Sequence, residues 1–96
     1  MLTKDTILSI LKNNKSSLQK LGVHEIGIFG SYAKNEAKEK SDIDVFTKLN
    51  KTDYRTILNV LLFLESKLPG KIDLIYNGPH LRTSFLQTLE REVIYA

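Results

Sequence analysis

Two carboxylates stand two residues apart in Ser41-Asp42-Ile43-Asp44-Val45. In a strand, residues i and i+2 share a face and lie about 6.6 Å apart. Asp is depleted in strands, and two like charges on one face repel, so the arrangement is unfavourable unless a cation lies between them. Ile43 and Val45 point to the opposite face and tie it to a core, which fixes the register. A hard, oxygen-preferring ion such as Mg²⁺ suits a rigid pair of this kind, with Mn²⁺ as the alternative. Asp73, between Ile72 and Leu74, repeats the device. If its strand lies beside the first, three carboxylates converge. Such a cluster could hold two ions about 4 Å apart and polarise a transferring phosphoryl group.

Gly30-Ser31 supplies a complementary chemistry. A strand that turns sharply into a helix at Gly-Ser presents free backbone N–H groups and the positive end of the helix dipole, a ready anion site. Gly30 allows close backbone approach, the Ser31 hydroxyl can donate to a phosphate oxygen, and Lys34 could add a point charge. Taken singly, each piece has a plainer reading. Gly-Ser after a strand can be only a turn, Asp42 a strand-start cap, and Asp44 a charge that protects a sheet edge. The three segments in this order are harder to explain without a site.

The elements that must position these groups are legible from periodicity. Thr3 to Leu21 reads as helical, with Thr3 or Asp5 as N-cap, Gly22 as stop signal and Asn13-Asn14 as a potential break. Val23–Phe29 reads as a strand, followed by a short helix from Ser31 to about Ala37. Asp42–Thr47 is the second expected strand. Thr52 or Asp53 caps a helix with Ile57, Leu61, Leu64 and Leu68 on one face, ended by Pro69-Gly70. Lys71–Tyr76 is a third strand, Leu81–Glu92 a last helix with Leu81, Phe85 and Leu89 in line, and Val93–Tyr95 a short edge strand. The expected class is α/β (α+β), a small mixed sheet of three to four strands flanked by helices.

With 96 residues, 42% of them hydrophobic and 26% charged, the chain is expected to form one domain over 1–96 with a packed core. It contains no cysteine, which excludes a disulfide framework and Cys-based zinc. Its longest apolar run, Val60–Leu64, is far shorter than a membrane span, and its first residues do not resemble a signal peptide. A cytoplasmic location is therefore the expectation. The net charge of +3 is not gathered into one basic run, so direct nucleic-acid binding is not expected. His24 and His80 lack metal-ligand spacing, and Tyr32, Tyr54, Tyr76 and Tyr95 read as half-buried packing residues.

Gly30-Ser31-Tyr32-Ala33 through Ser41-Asp42-Ile43-Asp44-Val45, followed by Ile72-Asp73-Leu74, resembles the nucleotidyltransferase superfamily typified by DNA polymerase beta, and most closely its minimal members. The resemblance covers nearly the whole chain. It implies that Asp42 and Asp44 ligate two divalent ions, that Gly30 and Ser31 hold the triphosphate, and that Asp73 completes the metal site and acts as general base. Family members often carry Arg then Gly after the alanine; here Lys34 and Asn35 stand instead, keeping the charge but losing a bidentate phosphate contact.

Members this small resemble the antitoxin half of toxin–antitoxin pairs whose partner is a HEPN-type ribonuclease. That resemblance implies ATP as substrate and transfer of AMP to a tyrosine hydroxyl of the toxin. Neutralisation by binding alone, or transfer to RNA or a small molecule, are the alternatives. In Ile57–Leu64 apolar residues circle most of the helix, which calls for cover on a second side from a partner or from the terminal helices.

Overall fold

A computed structural model of the chain describes residues 2–96. Thr3 opens α1 (Lys4–Asn13), its hydroxyl accepting from the Thr6 N–H at 3.2 Å. Asn14 then ends that helix: its side-chain amide donates to the Ile10 carbonyl at 2.8 Å, competing with the backbone ladder, and α2 (Lys15–Lys20) starts afresh. Gly22, at φ +102, turns the chain into β1 (Val23–Phe29), which leads directly to the single turn α3 (Gly30–Ala33).

The remaining elements are β2 (Ile43–Leu49), α4 (Tyr54–Lys67), β3 (Ile72–Tyr76), α5 (Thr83–Glu92) and β4 (Ile94–Tyr95). They form one mixed four-stranded sheet in the order β3-β2-β1-β4. β1 is antiparallel to both β2 and β4, whereas β2 and β3 run parallel.

The two faces of this sheet have different cover. Ile43, Val45, Thr47 and Leu49 alternate along β2 and are all buried, together with Ile7, Leu11 and Leu18 from α1 and α2 and Val60 and Leu64 from α4. Thr47, the polar member of this row, donates its hydroxyl to the Glu25 carbonyl at 3.0 Å, which satisfies it. Asp44, Phe46 and Lys48 point to the other face. There Lys48 Nζ reaches Glu90 Oε1 at 3.2 Å, so α5 lies across that face, with its own Leu89 and Phe46 of β2 both buried. The core thus occupies both sides of the centre of the sheet, and the Asp44 end remains open to solvent on one side.

Two polar or small residues close the sheet edges. The Asn77 side chain accepts from the Leu49 N–H at 2.7 Å, continuing the β2–β3 ladder beyond the end of β3. A Cβ on Gly27 would sit 2.5 Å from the Ile94 carbonyl oxygen, so only glycine lets β4 dock this closely on β1.

Several boundaries differ from the sequence expectation. β2 begins at Ile43, not Asp42, because the Ile43 N–H makes the first bond to β3, donating to the Lys71 carbonyl at 2.8 Å. It also runs on to Leu49. α5 starts at Thr83, which leaves Leu81 in the preceding turn, and Phe85 is 42% exposed and not part of the core. On α4, Val60 is fully buried while Ile57 and Leu61 are half-buried. The terminal helices do not cover its second side: Leu62 is 54% exposed and Tyr54, expected to be half-buried, is 79% exposed.

Candidate active site

The site is assembled where β1 passes into α3 over the start of β2. Phe29, the last residue of β1, is the ladder partner of Asp44, so Gly30 stands immediately above that carboxylate. Gly30 adopts φ +72, and a Cβ there would collide with the Asp44 carboxylate. Both facts require glycine, because other residues pay a steric penalty at positive φ and there is no room for a side chain. Ser31 follows at half exposure, and Tyr32 plugs α3 into the core.

α3 is shorter than expected. It ends at Ala33 rather than near Ala37, with Asn35 at φ 58 and the Glu36 N–H returning to the Ser31 carbonyl at 2.8 Å. One turn carries little macrodipole, so the anion site proposed from the sequence rests on local groups. These are the first-turn N–H groups, for which the helix itself offers no acceptor, and the Ser31 hydroxyl. Lys34 is exposed, and its Nζ lies 4.0 Å from Glu92 Oε1 of α5, which holds it loosely at the border between α3 and α5.

On β2 and β3, Asp44 and Asp73 are direct partners in the parallel ladder. Their strands are neighbours, and the two side chains share a face with the half-buried Asp44 flanked by the exposed Asp73. Asp42 lies just outside the strand and is exposed. The Asp44 carboxyl has its pKa raised above the usual carboxylate value, first by burial, then by the adjacent Asp73 and last by the charge of Asp42. All three carboxylates therefore share one electrostatic environment. None of the ion pairs among the described residues involves any of them, so no basic side chain neutralises the cluster.

This donor set fits a hard divalent ion, with one qualification from geometry. Among the described residues no three His, Cys, Asp or Glu side chains form a preformed metal cage. Asp44 and Asp73 are brought together, and Asp42 stands at their edge. Mg²⁺ is commonly held by one or two carboxylates together with substrate phosphates and water, so the nucleotide itself would complete the coordination.

Sequence reasoning did not reveal an open surface hollow of about 490 Å³ lined by His80, Leu81 and Arg82 of the turn before α5 and by Ser84, Phe85 and Thr88 of α5. None of the three carboxylates lines it. The apolar period of α5 was the available signal, but it was read as core. His80 lies beside Tyr76 with ring centroids 4.5 Å apart and the rings tilted by 41°.

Comparison with known proteins places the whole chain among relatives. Residues 7–95 match the family model described as nucleotidyltransferase domain. The chain is 39% identical to the protein adenylyltransferase MntA of Thermococcus cleftensis, over 99% of this chain and 97% of that one. Among solved structures, one provisionally assigned as a minimal nucleotidyltransferase superposes with a TM-score of 0.82 at 23% identity, covering 97% of this chain and 95% of its own. A toxin–antitoxin crystal structure with AMP-PNP superposes at 0.66 and 22% identity, covering 98% of this chain and 72% of that one. At such identities the structures speak for the fold, and the match along the sequence carries the assignment. This chain, with its Gly-Ser turn set over a carboxylate pair, belongs to the nucleotidyltransferase family.

Proposed function

We propose that this nucleotidyltransferase transfers AMP from ATP to a tyrosine hydroxyl of a cognate HEPN-type toxin and so acts as its antitoxin. The observation that carries the transfer chemistry is the un-neutralised Asp44–Asp73 pair beneath the Gly30 turn. The relative named protein adenylyltransferase, aligned along nearly the full length of both chains, supports AMP and a protein acceptor. The toxin–antitoxin neighbours support the partner.

In this reading Asp42, Asp44 and Asp73 would hold two Mg²⁺ ions, which when bound supply charge stabilisation to the phosphoryl group being transferred. Gly30 and Ser31 hold the triphosphate through backbone N–H groups and one hydroxyl, and Lys34 adds a cation at the rim. Asp73 takes the proton of the acceptor hydroxyl. The hydroxyl oxygen attacks the α-phosphorus, the bond from that phosphorus to the bridging oxygen breaks, and pyrophosphate leaves with the electron pair. The product is a phosphodiester between tyrosine and AMP. Most of the rate would come from positioning and charge, since the protein forms no covalent intermediate.

The exposed Tyr54 and Leu62 on α4 favour a second reading, in which binding alone masks the toxin. Intact-protein mass spectrometry of a toxin co-expressed with this chain separates the two. Transfer predicts an added AMP on a tyrosine with the wild type and none with Asp73→Asn. A toxin that is neutralised equally by both and never gains mass contradicts it.

A further inference from the structure

β3 is an outer strand of the sheet, and it carries Asp73. The bonds at its two ends fix which way its backbone points. The Ile43 N–H donates to the Lys71 carbonyl at 2.8 Å and the Asn77 N–H to the Thr47 carbonyl at 3.3 Å, so the odd-numbered residues turn their backbone groups toward β2. The alternation then directs the N–H and C=O groups of Ile72, Leu74 and Tyr76 outward. Among the described residues no other strand or turn pairs with them.

Such a row is a template for a further strand, and edge strands are usually guarded by lysine, proline or a bulge. β3, with the sequence Ile-Asp-Leu-Ile-Tyr, has no lysine or proline, and its register with β2 runs unbroken from Ile72 to Tyr76. Its one charge is Asp73, which belongs to the site. Leu74, Ile75 and Tyr76 are only half-buried, which leaves apolar area on both faces for a neighbour. The opposite edge differs, because it ends in the two-residue β4.

The position of Asp73 says what belongs beside this edge. In an in-line displacement the attacking and leaving oxygens lie on opposite sides of the phosphorus. With the pyrophosphate end at the Gly30 turn, on the β1 side of Asp44, the attacking hydroxyl arrives from the β3 side. A segment added antiparallel to β3 sets the residue opposite Asp73 in a non-hydrogen-bonded pair, where side chains stand closest. The diagonal neighbour, about 7–8 Å away, is still within reach of an aromatic side chain. A tyrosine there can lay its ring along the sheet with its hydroxyl at the exposed Asp73 carboxylate.

Resting on the transfer reading above, we infer that the free edge of β3 receives an extended, tyrosine-bearing segment of the acceptor protein as a fifth strand. Main-chain bonds to Ile72, Leu74 and Tyr76 supply affinity, and the place of the tyrosine along the segment supplies selectivity.

The experiment is amide hydrogen exchange, read residue by residue, on the chain alone and in complex with its purified cognate HEPN-type toxin, alongside an assay of AMP transfer to that toxin. In the complex the outward amides of Ile72, Leu74 and Tyr76 should exchange about tenfold or more slower than in the free chain, while Asp73 and Ile75, already bonded to β2, change little. Leu74→Pro adds a kinetic test, because its N–H faces outward and its loss breaks no bond to β2. Its KM for the toxin should rise about fivefold, the worth of one backbone hydrogen bond, with Mg-ATP affinity and melting temperature as controls. Absence of transfer by the wild type overturns the transfer reading. Transfer with unchanged exchange at all three outward amides overturns the edge docking alone. Protection that is already present in the free chain and grows with its concentration also overturns it, by giving the edge to a second copy.

Discussion

At the scale of single residues, Asp44 shows how a site can work against the fold that carries it. Burial and two neighbouring carboxylates disfavour its charged form, so the folded-state pKa lies above the unfolded one. The contribution to stability is therefore fully present below the ordinary value of 3.8 and is lost as pH rises through the raised folded value. Asp44→Asn should melt higher than the wild type at neutral pH without metal, and the advantage should vanish at acid pH. Added Mg-ATP should raise the wild-type melting temperature and leave that of Asp44→Asn nearly unmoved. Thermal denaturation across pH, with and without Mg-ATP, reads both effects. Gly30→Val should cost about 1–2 kcal/mol from its positive φ alone, displace Asp44 as well, and abolish nucleotide binding in calorimetry. Asn35 answers the question raised by its departure from the usual glycine. At φ 58 it occupies the left-handed region that Asn tolerates best after Gly. Asn35→Gly should leave stability nearly unchanged, and Asn35→Val should lower it by about 1–2 kcal/mol in denaturant titrations.

At the scale of elements, the parts that matter most to the site were legible because their signals are local. β1 could be read as Val23–Phe29 from β-formers ending at Gly30, and β3 from Ile72 and Leu74 around Asp73. The break at Asn14 was visible in the sequence, and its cause is a side-chain bond to Ile10. What could not be read depends on neighbours distant in sequence. α3 stops early because Asn35 turns left-handed, and no periodic pattern announces that. Nothing near Gly27 in the chain reveals that β4 will lie against it. Gly27→Ala should therefore lower the melting temperature by several degrees, because its Cβ would meet the Ile94 carbonyl, yet leave Asp44 and Gly30 in place. Nucleotide affinity retained alongside the reduced melting temperature would be the signature. Phe85 was misread for a related reason. Its spacing with Leu89 looks like one buried stripe, but α5 crosses the sheet at an angle that buries Leu89 and leaves Phe85 at the flank.

At the scale of the whole molecule, the chain divides its sheet between two tasks. One face is closed by α1, α2 and α4 over an apolar row and supplies the stability. The other is covered by α5 only past Asp44, so the carboxylates stay accessible at its edge. Among the described residues no helix is long and apolar enough to cross a membrane. In the proposed reaction the carboxylate pair promotes transfer of a nucleotide through its α-phosphorus. The most direct measurement incubates the chain with Mg²⁺, its purified cognate HEPN-type toxin, and ATP labelled at either the α- or the γ-phosphate. The α-label should enter the partner, the γ-label should leave in pyrophosphate, and Asp44→Asn should transfer neither. Incorporation of the γ-label, or equal incorporation by wild type and Asp44→Asn, would contradict it.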